Sequence, residues 1–538
     1  MTELAPAALP GHPPAVPGHP PAALVSPSDA RWLLLGLALA TGMEFYTADS
    51  INLVLPDMAG TLGLSADEAS WLLTVYSCSL FIGVPVSIWL AGHVGYKRFL
   101  LATTVLFAIA SMGCAVSSSL ESLLTWRAIQ GLAGAGLINW WRASVYLLMP
   151  KPQRSPSLMR ISTVLYLSSA AGLLASGYLT DRFNWRLIFI PNLLYTVGAV
   201  CLLLRYYPTI APPAPSRVSS TDWPGIVLLA LALISLQIVL NRGQIDDWFG
   251  APHIRDLAAV SAVALGLFLM WQLHPRNRAP LLDLTLIRDR RVMSSIVIGL
   301  FAGMILSGSL YVLPEFLRNV SARTYSATQT GQIICVYALI AAAARPLMVP
   351  FIAHIGQRKT IVIALSILVA SMLIFQRILT TDTATGYYIL PLVLYGLCLS
   401  PLLPAIGSGT VAQIAQDKLL DGVSLYMTFR QFGASLGVAV LNILLAHRET
   451  LHSARLFEHL QGHDGNAPAS LAARSANAIA HGYSSVDSQH LALAQLAEAA
   501  RQQAATLSYA DAFGFMAVIA VIAVCLVPII PPTPVVRK

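Results

Sequence analysis

The chain has 538 residues, 56% of them hydrophobic and only 11% charged, with a formal net charge of +8. Soluble globular proteins carry about 25% charged residues, so the composition excludes an ordinary soluble domain and describes a chain that crosses a membrane many times. The positive charge is no nucleic-acid signature, because Lys and Arg are spread over short connections between apolar runs, where cytoplasmic loops collect them.

The first thirty residues lack a basic start and a continuous apolar run, so they are no signal peptide. Their repeated "PGHPPA" reads as a low-complexity, extended tail. Fourteen apolar stretches follow, each long enough for a membrane helix, at 32–56, 69–91, 99–118, 122–149, 158–179, 186–204, 223–241, 256–274, 293–316, 328–352, 360–378, 386–413, 422–446 and 509–531. The expected fold class is an all-α membrane protein. A cytoplasmic tail (1–30) leads to a six-helix bundle (31–205), then a linker with two extra helices (206–291). A second six-helix bundle (292–531) carries a long outward loop at 447–508, and 532–538 form a second tail. With both ends inside, the short cytoplasmic segments hold about 18 Lys and Arg against about 7 outside, the bias expected of that orientation. The six cysteines all lie in apolar segments and read as small buried hydrophobes. The end of the long loop, 486–508, has helical spacing and few breakers, and the six histidines of 447–490 fit no metal template.

The two bundles contain a repeat. "IWLAGHVGYKRFL" (88–100) follows the second span and "VPFIAHIGQRKTI" (349–361) the tenth. Aligning Gly95 with Gly356 also aligns His93 with His354, and places Lys97 and Arg98 opposite Arg358 and Lys359. Duplicated halves with the same short basic turn are what a two-body, alternating-access transporter shows.

Six segments in order carry a family resemblance: "WRAIQG" (126–131, with Arg127, Gln130 and Gly131), "SGYLTDRFNWRLIF" (176–189), "SLQIVLNRGQIDDWF" (235–249), "APLLDLTLIRDRRV" (279–292), "FRQFGASLGVAV" (429–440, with Arg430 and Gln431) and "RQQAATLSYADAF" (501–513). Together they resemble the fourteen-span drug:proton antiporter branch of the major facilitator superfamily, and within it the EmrB-like multidrug exporters. That resemblance implies the major facilitator fold, proton-driven efflux and no cofactor. It also implies a periplasmic adaptor and an outer-membrane channel as partners. There are departures. Ile88 and Gly92 stand where the family's second-to-third loop has Gly and Asp, and the fifth-helix motif reads "GLLASG" (172–177). Leu173 replaces its proline and Ser176 a glycine, while Gly172 and Gly177 still allow close helix packing.

The first helix, "TGMEFYTADSINLVLP" (41–56), carries two carboxylates at membrane depth, where charge is expensive and marks function. Relative to the family's D-x-T, the order here is T-x-D, with Thr47 at the Asp position and Asp49 at the Thr position. Two residues on a helix are about 200° apart, so the carboxylate has moved to another face. Counted from the helix ends, Asp49 and Arg127 share a depth to within roughly 3 Å, which pairs them, and Glu44 lies nearer the midplane. The expected proton-coupling set is therefore Glu44, Asp49 and Arg127; the alternative is a fixed Asp49–Arg127 ion pair with Glu44 lining a wet cavity.

Trp140, Trp141, Arg142 and Thr47 make the expected substrate pocket, with a lipid-facing aromatic belt as the other reading of the tryptophans. Arg142 has three readings: contact with an anionic substrate, neutralisation of Glu44, or snorkelling to the interface. Arg345 and Arg430 read as interhelical hydrogen-bonders. Gly95, Lys97, Arg98, Gln130, Gly131, Gly172, Gly177, Arg430 and Gln431 are the expected conformational motifs. No phosphate-binding Walker sequence, nucleophile–base pair or metal cluster is present, which excludes direct ATP use and enzyme chemistry. The expectation is an inner-membrane exporter of small amphipathic compounds. A dedicated exporter of one metabolite, and a sensor or scaffold without transport, are its rivals.

Overall fold

A computed structural model describes residues 26–209, 222–277, 280–282, 284–321, 323–411, 419–461 and 467–529. Residues 1–25 of the expected first tail and all of the expected second tail lie outside them. Among the described residues the regular structure is helical. The helices are α1 (Pro27–Leu62), α2 (Ala66–Val94), α3 (Tyr96–Val116), α4 (Leu120–Leu148), α5 (Lys151–Arg182), α6 (Pro191–Tyr206), α7 (Trp223–Arg242) and α8 (Pro252–Gln272). They continue as α9 (Arg290–Glu315), α10 (Ala327–Ile355), α11 (Gln357–Ile378), α12 (Ile389–Val411), α13 (Leu419–Gln461), α14 (Ala467–Ala480) and α15 (Ser485–Leu526).

Every expected span lies on one of α1–α13 or on α15. By length and composition, eleven helices among the described residues qualify to cross a membrane. Helices α1 and α4 are not among those eleven, and α2 counts only as a shorter apolar helix over Glu68–Val84. Helix α1 carries Glu44 and Asp49, and α4 carries Arg127 and Arg142. Two of the three helices that fall short, α1 and α4, hold unusual charges, while α10 and α13 qualify despite Arg345 and Arg430.

Helices α1 to α6 pack on one another, and α9 to α13 pack with α15 as a second group. The groups meet chiefly where α5 lies along α10 and where α2 faces α13. The internal repeat has a structural counterpart. Helices α2 and α10 both open with a capping box, Ser65–Glu68 in one and Ser326–Gln329 in the other. Both end at a single glycine that starts the next helix, with φ of 93° at Gly95 and 87° at Gly356. Only glycine adopts that conformation without strain, so the same sharp joint is built twice from the same residue.

Helices α7 and α8 form a hairpin on the seam between the groups. Asn241 of α7 donates to Thr74 of α2 at 2.6 Å, and Ser435 of α13 donates to Gln237 of α7. Asp222, the N-cap of α7, ties the hairpin's ends together. It accepts from Gly225 N (2.9 Å), Trp271 Nε1 (2.5 Å), Gln272 Nε2 (2.6 Å), Asn277 Nδ2 (3.1 Å) and Leu281 N (3.1 Å). Burial pushes its carboxyl up, but the donors led by Trp271 and Gln272 outweigh that and hold it below the usual carboxylate range. A depressed carboxyl adds stability above its unfolded pKa of about 3.9 and loses it as pH falls through the lower folded value, so this tie holds at neutral pH. Asp222→Ala strands several buried donors and should cost about 2–3 kcal/mol. Thermal unfolding of the variant measures that loss, and an unchanged midpoint would show the hub to be dispensable.

The stretch expected as an outward segment, 447–508, is largely helix among its described residues, because α13 runs on to Gln461, α14 follows, and α15 begins at Ser485, and one expectation, on the cysteines, is corrected. The stretch is rich in Ala and Leu, strong helix formers that let the helices continue through it. His452 and Arg448 of α13 hold Asp511 of α15 at 2.9 and 3.5 Å, at the base of that extension. The cysteines are all free thiols, but Cys201 and Cys525 are exposed on apolar helix surfaces while the other four are buried. In lipid an outward apolar position is as stable for a thiol as an inward one.

Candidate functional site

Glu44 and Asp49 are five residues apart, which on an α-helix turns their side chains about 140° away from each other. The structure sends them to different neighbours. Glu44 is 5% exposed and faces α2 and α4, where the Tyr76 hydroxyl donates to its Oε1 at 3.2 Å. Tyr76 carries the Arg127 guanidinium over its ring, 4.0 Å from the centroid. Asp49 faces α5 and α10 instead. Ser169 of α5 and Tyr337 of α10 both donate to its Oδ2, the latter at 2.9 Å, and the two hydroxyls lie 3.0 Å apart.

The expected Asp49–Arg127 pair is therefore not formed. Azimuth decides contact, and Asp49 is turned to the seam while Arg127 lies inside the first group. Arg127, 1% exposed, donates from Nη1 to Gln130 Oε1 at 2.6 Å and from Nε to the Leu72 carbonyl at 3.4 Å. A polar chain continues from there. Gln130 Nε2 donates to Ser111 Oγ (2.7 Å), and Asn192 Nδ2 donates to both Ser111 Oγ (3.0 Å) and Thr47 Oγ1 (2.9 Å). Starting at Glu44 and returning to Thr47, the chain leaves α1 through α2, α4, α3 and α6 and comes back to it. Thr47 is buried in that network, with Oγ1 also donating to the Met43 carbonyl at 2.7 Å. Gly131 makes room for the arrangement: a Cβ there would stand 2.6 Å from the Tyr76 carbonyl oxygen.

Of the expected pocket tryptophans, Trp140 is wholly buried inside the first group, tilted against Tyr96 with centroids 4.9 Å apart and edge-on to Phe99. It is core, a correction that follows from its place one residue, or about 100°, from Trp141. Trp141 supports Arg142, whose guanidinium lies 4.3 Å over the indole. Arg142 reaches across the seam, with Nη1 3.8 Å from Met427 Sδ of α13. Arg345 of α10 donates to the Leu399 and Ser400 carbonyls of α12 and lies 5.1 Å over the Tyr166 ring of α5. Arg345 is thus the interhelical hydrogen-bonder expected. At Arg430, Nε is buried without a hydrogen-bond partner among the described residues. Gln431, its neighbour, is partly buried.

The conformational motifs occupy the ends and the seam. Lys97 donates from Nζ to the Leu204 carbonyl near the C-terminus of α6 at 2.8 Å, a favourable place for a cation, while Arg98 is exposed. Gly172 abuts the Tyr46 carbonyl of α1. Gly177 lets α5 and α10 approach closely, since a Cβ would lie 2.5 Å from the Ala327 carbonyl oxygen. At that same end, Asp181 of α5 accepts from the Ala327 and Thr328 amides at the start of α10 (3.2 and 2.8 Å). A carboxylate there satisfies orphan donors and meets the positive end of the helix dipole. Arg318, just beyond α9, pairs with Asp57 of α1 at 2.5 Å. The two groups are sealed together at the end where α1 and α5 finish.

The sequence left Tyr76, Ser169 and Tyr337 unmarked, although they are the direct partners of the two carboxylates. Hydroxyl residues are common in membrane helices, and nothing in the linear pattern separates these three from the rest; only the packing of α1 selects them.

A family model described as the Major Facilitator Superfamily matches residues 37–438. The chain is 27% identical over 439 residues to "Multidrug export protein EmrB" of Escherichia coli strain K12, covering 81% of this chain and 84% of that protein. It is 28% identical over 428 residues to "Probable multidrug resistance protein EmrY" of the same strain, covering 78% and 81%. Among solved structures, a crystal structure of the peptide transporter POT in complex with sulfate aligns with a TM-score of 0.60 over 94% of this chain and 95% of that one, at 13% identity. That last likeness is one of fold.

Proposed function

The chain belongs to the Major Facilitator Superfamily, and from that premise we propose that it exports small amphipathic compounds across the inner membrane in exchange for protons. The relatives named as multidrug export and resistance proteins support the substrate class. The proposed topology has fourteen spans with both termini in the cytoplasm. The proposed moving bodies are residues 31–205 and 292–531, joined through 206–291.

The observation that carries the reading is the placement of the two carboxylates on α1. Glu44 is buried, yet its one hydrogen bond comes from a tyrosine hydroxyl and none from a cation. Such a group can take up and give back a proton without dismantling an ion pair. Asp49 sits on the seam and holds hydroxyls from both groups, Ser169 on one side and Tyr337 on the other. A change of charge at Asp49 would alter a tie between the two bodies directly. With the N-terminus inside, the sealed end bearing Asp181, Asp57 and Arg318 is periplasmic, so this is a state closed to the outside.

The test is transport by purified protein in proteoliposomes under an imposed pH gradient. Export of an amphipathic dye should follow the gradient and stop when an ionophore collapses it. Movement indifferent to the gradient would end the proton-coupled reading, and no movement of any dye or drug would favour a sensor or scaffold.

The same proposal makes the protein the inner-membrane part of a tripartite system with a periplasmic adaptor and an outer-membrane channel. The helical extension of α13, α14 and α15 supplies a surface beyond the membrane for the adaptor. Deleting 462–484, which removes α14 and its flanks, should weaken efflux from cells several-fold while transport in proteoliposomes stays near wild type. Equal loss in both assays would assign the extension to folding.

A further inference from the structure

Arg142, Arg345 and Arg430 come from three helices, α4, α10 and α13, and converge on the seam between the two groups. Arg142 lies close enough to both others for their charges to act on it directly. Tyr166 of α5 feels all three, and Tyr426 of α13 feels Arg430 and Arg142. Met427, which Arg142 touches, stands one helical turn before Arg430.

Three like charges brought together repel one another, and Arg345 is buried while Arg142 and Arg430 are partly buried, which takes solvation from all three to different degrees. Such a cluster is normally neutralised by acids. Among the described residues no carboxylate is bonded to any of the three. The carboxylate whose charge reaches Arg430 is Glu44, which is hydrogen-bonded to Tyr76 instead. Arg345, 3% exposed, spends Nη1 on two backbone carbonyls, which satisfies donors without cancelling charge. Its Nε and the Nε of Arg430 are buried with no partner at all. The cluster therefore carries more positive charge than Glu44 alone offsets, together with unused donors, and its walls are aromatic and thioether side chains.

The geometry points to a binding site for amphipathic organic anions, with a carboxylate or sulfonate head held between Arg142 and Arg430 and an apolar body against Tyr166, Tyr426 and Met427. Guanidinium suits this role better than ammonium, because its fork matches both oxygens of such a head and it is easier to desolvate. The apolar body separates this ligand class from a free inorganic anion, which would leave the aromatic wall unused. The inference rests on the exporter reading and narrows it: the preferred cargo is anionic, and lipophilic cations are disfavoured by the same three charges.

A matched probe set tests it. Binding of 2-naphthoate, 2-naphthalenemethanol and 2-naphthylmethylammonium to the full chain in lipid nanodiscs is measured by equilibrium dialysis, with empty nanodiscs subtracted. Naphthoate should bind at least tenfold more tightly than the alcohol, and the ammonium more weakly than the alcohol. Arg142→Gln and Arg430→Gln should each weaken naphthoate at least tenfold and leave the alcohol within about twofold. Equal affinity for the three probes, or preference for the ammonium, overturns the assignment from the wild-type protein alone, whatever the variants' folding. Unchanged naphthoate binding in both variants, with thermal unfolding showing them folded, also overturns it. Failure of the exporter reading looks different: naphthoate would bind with the stated selectivity but would not be moved in proteoliposomes.

Discussion

Glu44→Gln should abolish proton-driven export, by at least tenfold in initial rate, while the protein remains folded and still binds its substrate. Glutamine is isosteric with the protonated acid and its amide oxygen can accept from the Tyr76 hydroxyl, so the local packing has no reason to change. What is lost is the ability to exchange a proton. The measurement is dye export by the variant in proteoliposomes under a pH gradient, set beside substrate binding in detergent. Wild-type rates in the variant would remove Glu44 from the coupling step and leave Asp49 as the remaining carboxylate of the expected coupling set. Loss of binding together with loss of transport would make Glu44 a substrate contact instead.

Arg127→Leu is expected to strike stability more than any other single change in the first group, by about 2–3 kcal/mol or more. It removes the 2.6 Å charge-assisted bond to Gln130 and the cation over the Tyr76 ring. Gln130 must then re-aim its amide, which pulls on Ser111 and through it on Asn192 and Thr47. A buried network that is half satisfied is worse than none, so the damage spreads beyond the deleted side chain. Arg127→Lys keeps a cation near Tyr76 but has no planar fork to serve Gln130 and the Leu72 carbonyl together, and should fall between wild type and Arg127→Leu. Thermal unfolding of the three proteins orders them. Identical midpoints would show that the network is decorative.

The membrane-spanning character, the positions of the helices and the twofold internal repeat were all legible in the linear chain. Hydrophobic runs of bilayer length leave the backbone little choice but helix, because every buried amide and carbonyl must be satisfied within its own segment. A glycine flanked by the same histidine and basic pair marks the same joint twice, and the shared positive φ at Gly95 and Gly356 is the reason the residue is glycine. The helical continuation of α13 and α15 outside the hydrocarbon was only half legible. Hydropathy reports where a helix leaves lipid, and the helix itself can continue in water.

The sequence also determined which residues are out of place: two carboxylates on α1 and arginines on α4, α10 and α13, in segments where charge is costly. It could not determine who meets whom. Depth along a helix follows from counting residues, but each residue turns the side chain by about 100°, and partners depend on how neighbouring helices are rotated and stacked. That is why Asp49 and Arg127, level in depth, ended with different neighbours. It is also why Trp140 became core while Trp141 supports an arginine on the seam. The tertiary structure alone decided that Glu44 answers to Tyr76, that Asp49 ties α5 to α10, and that three arginines from distant parts of the chain share one space with no carboxylate bonded to them among the described residues.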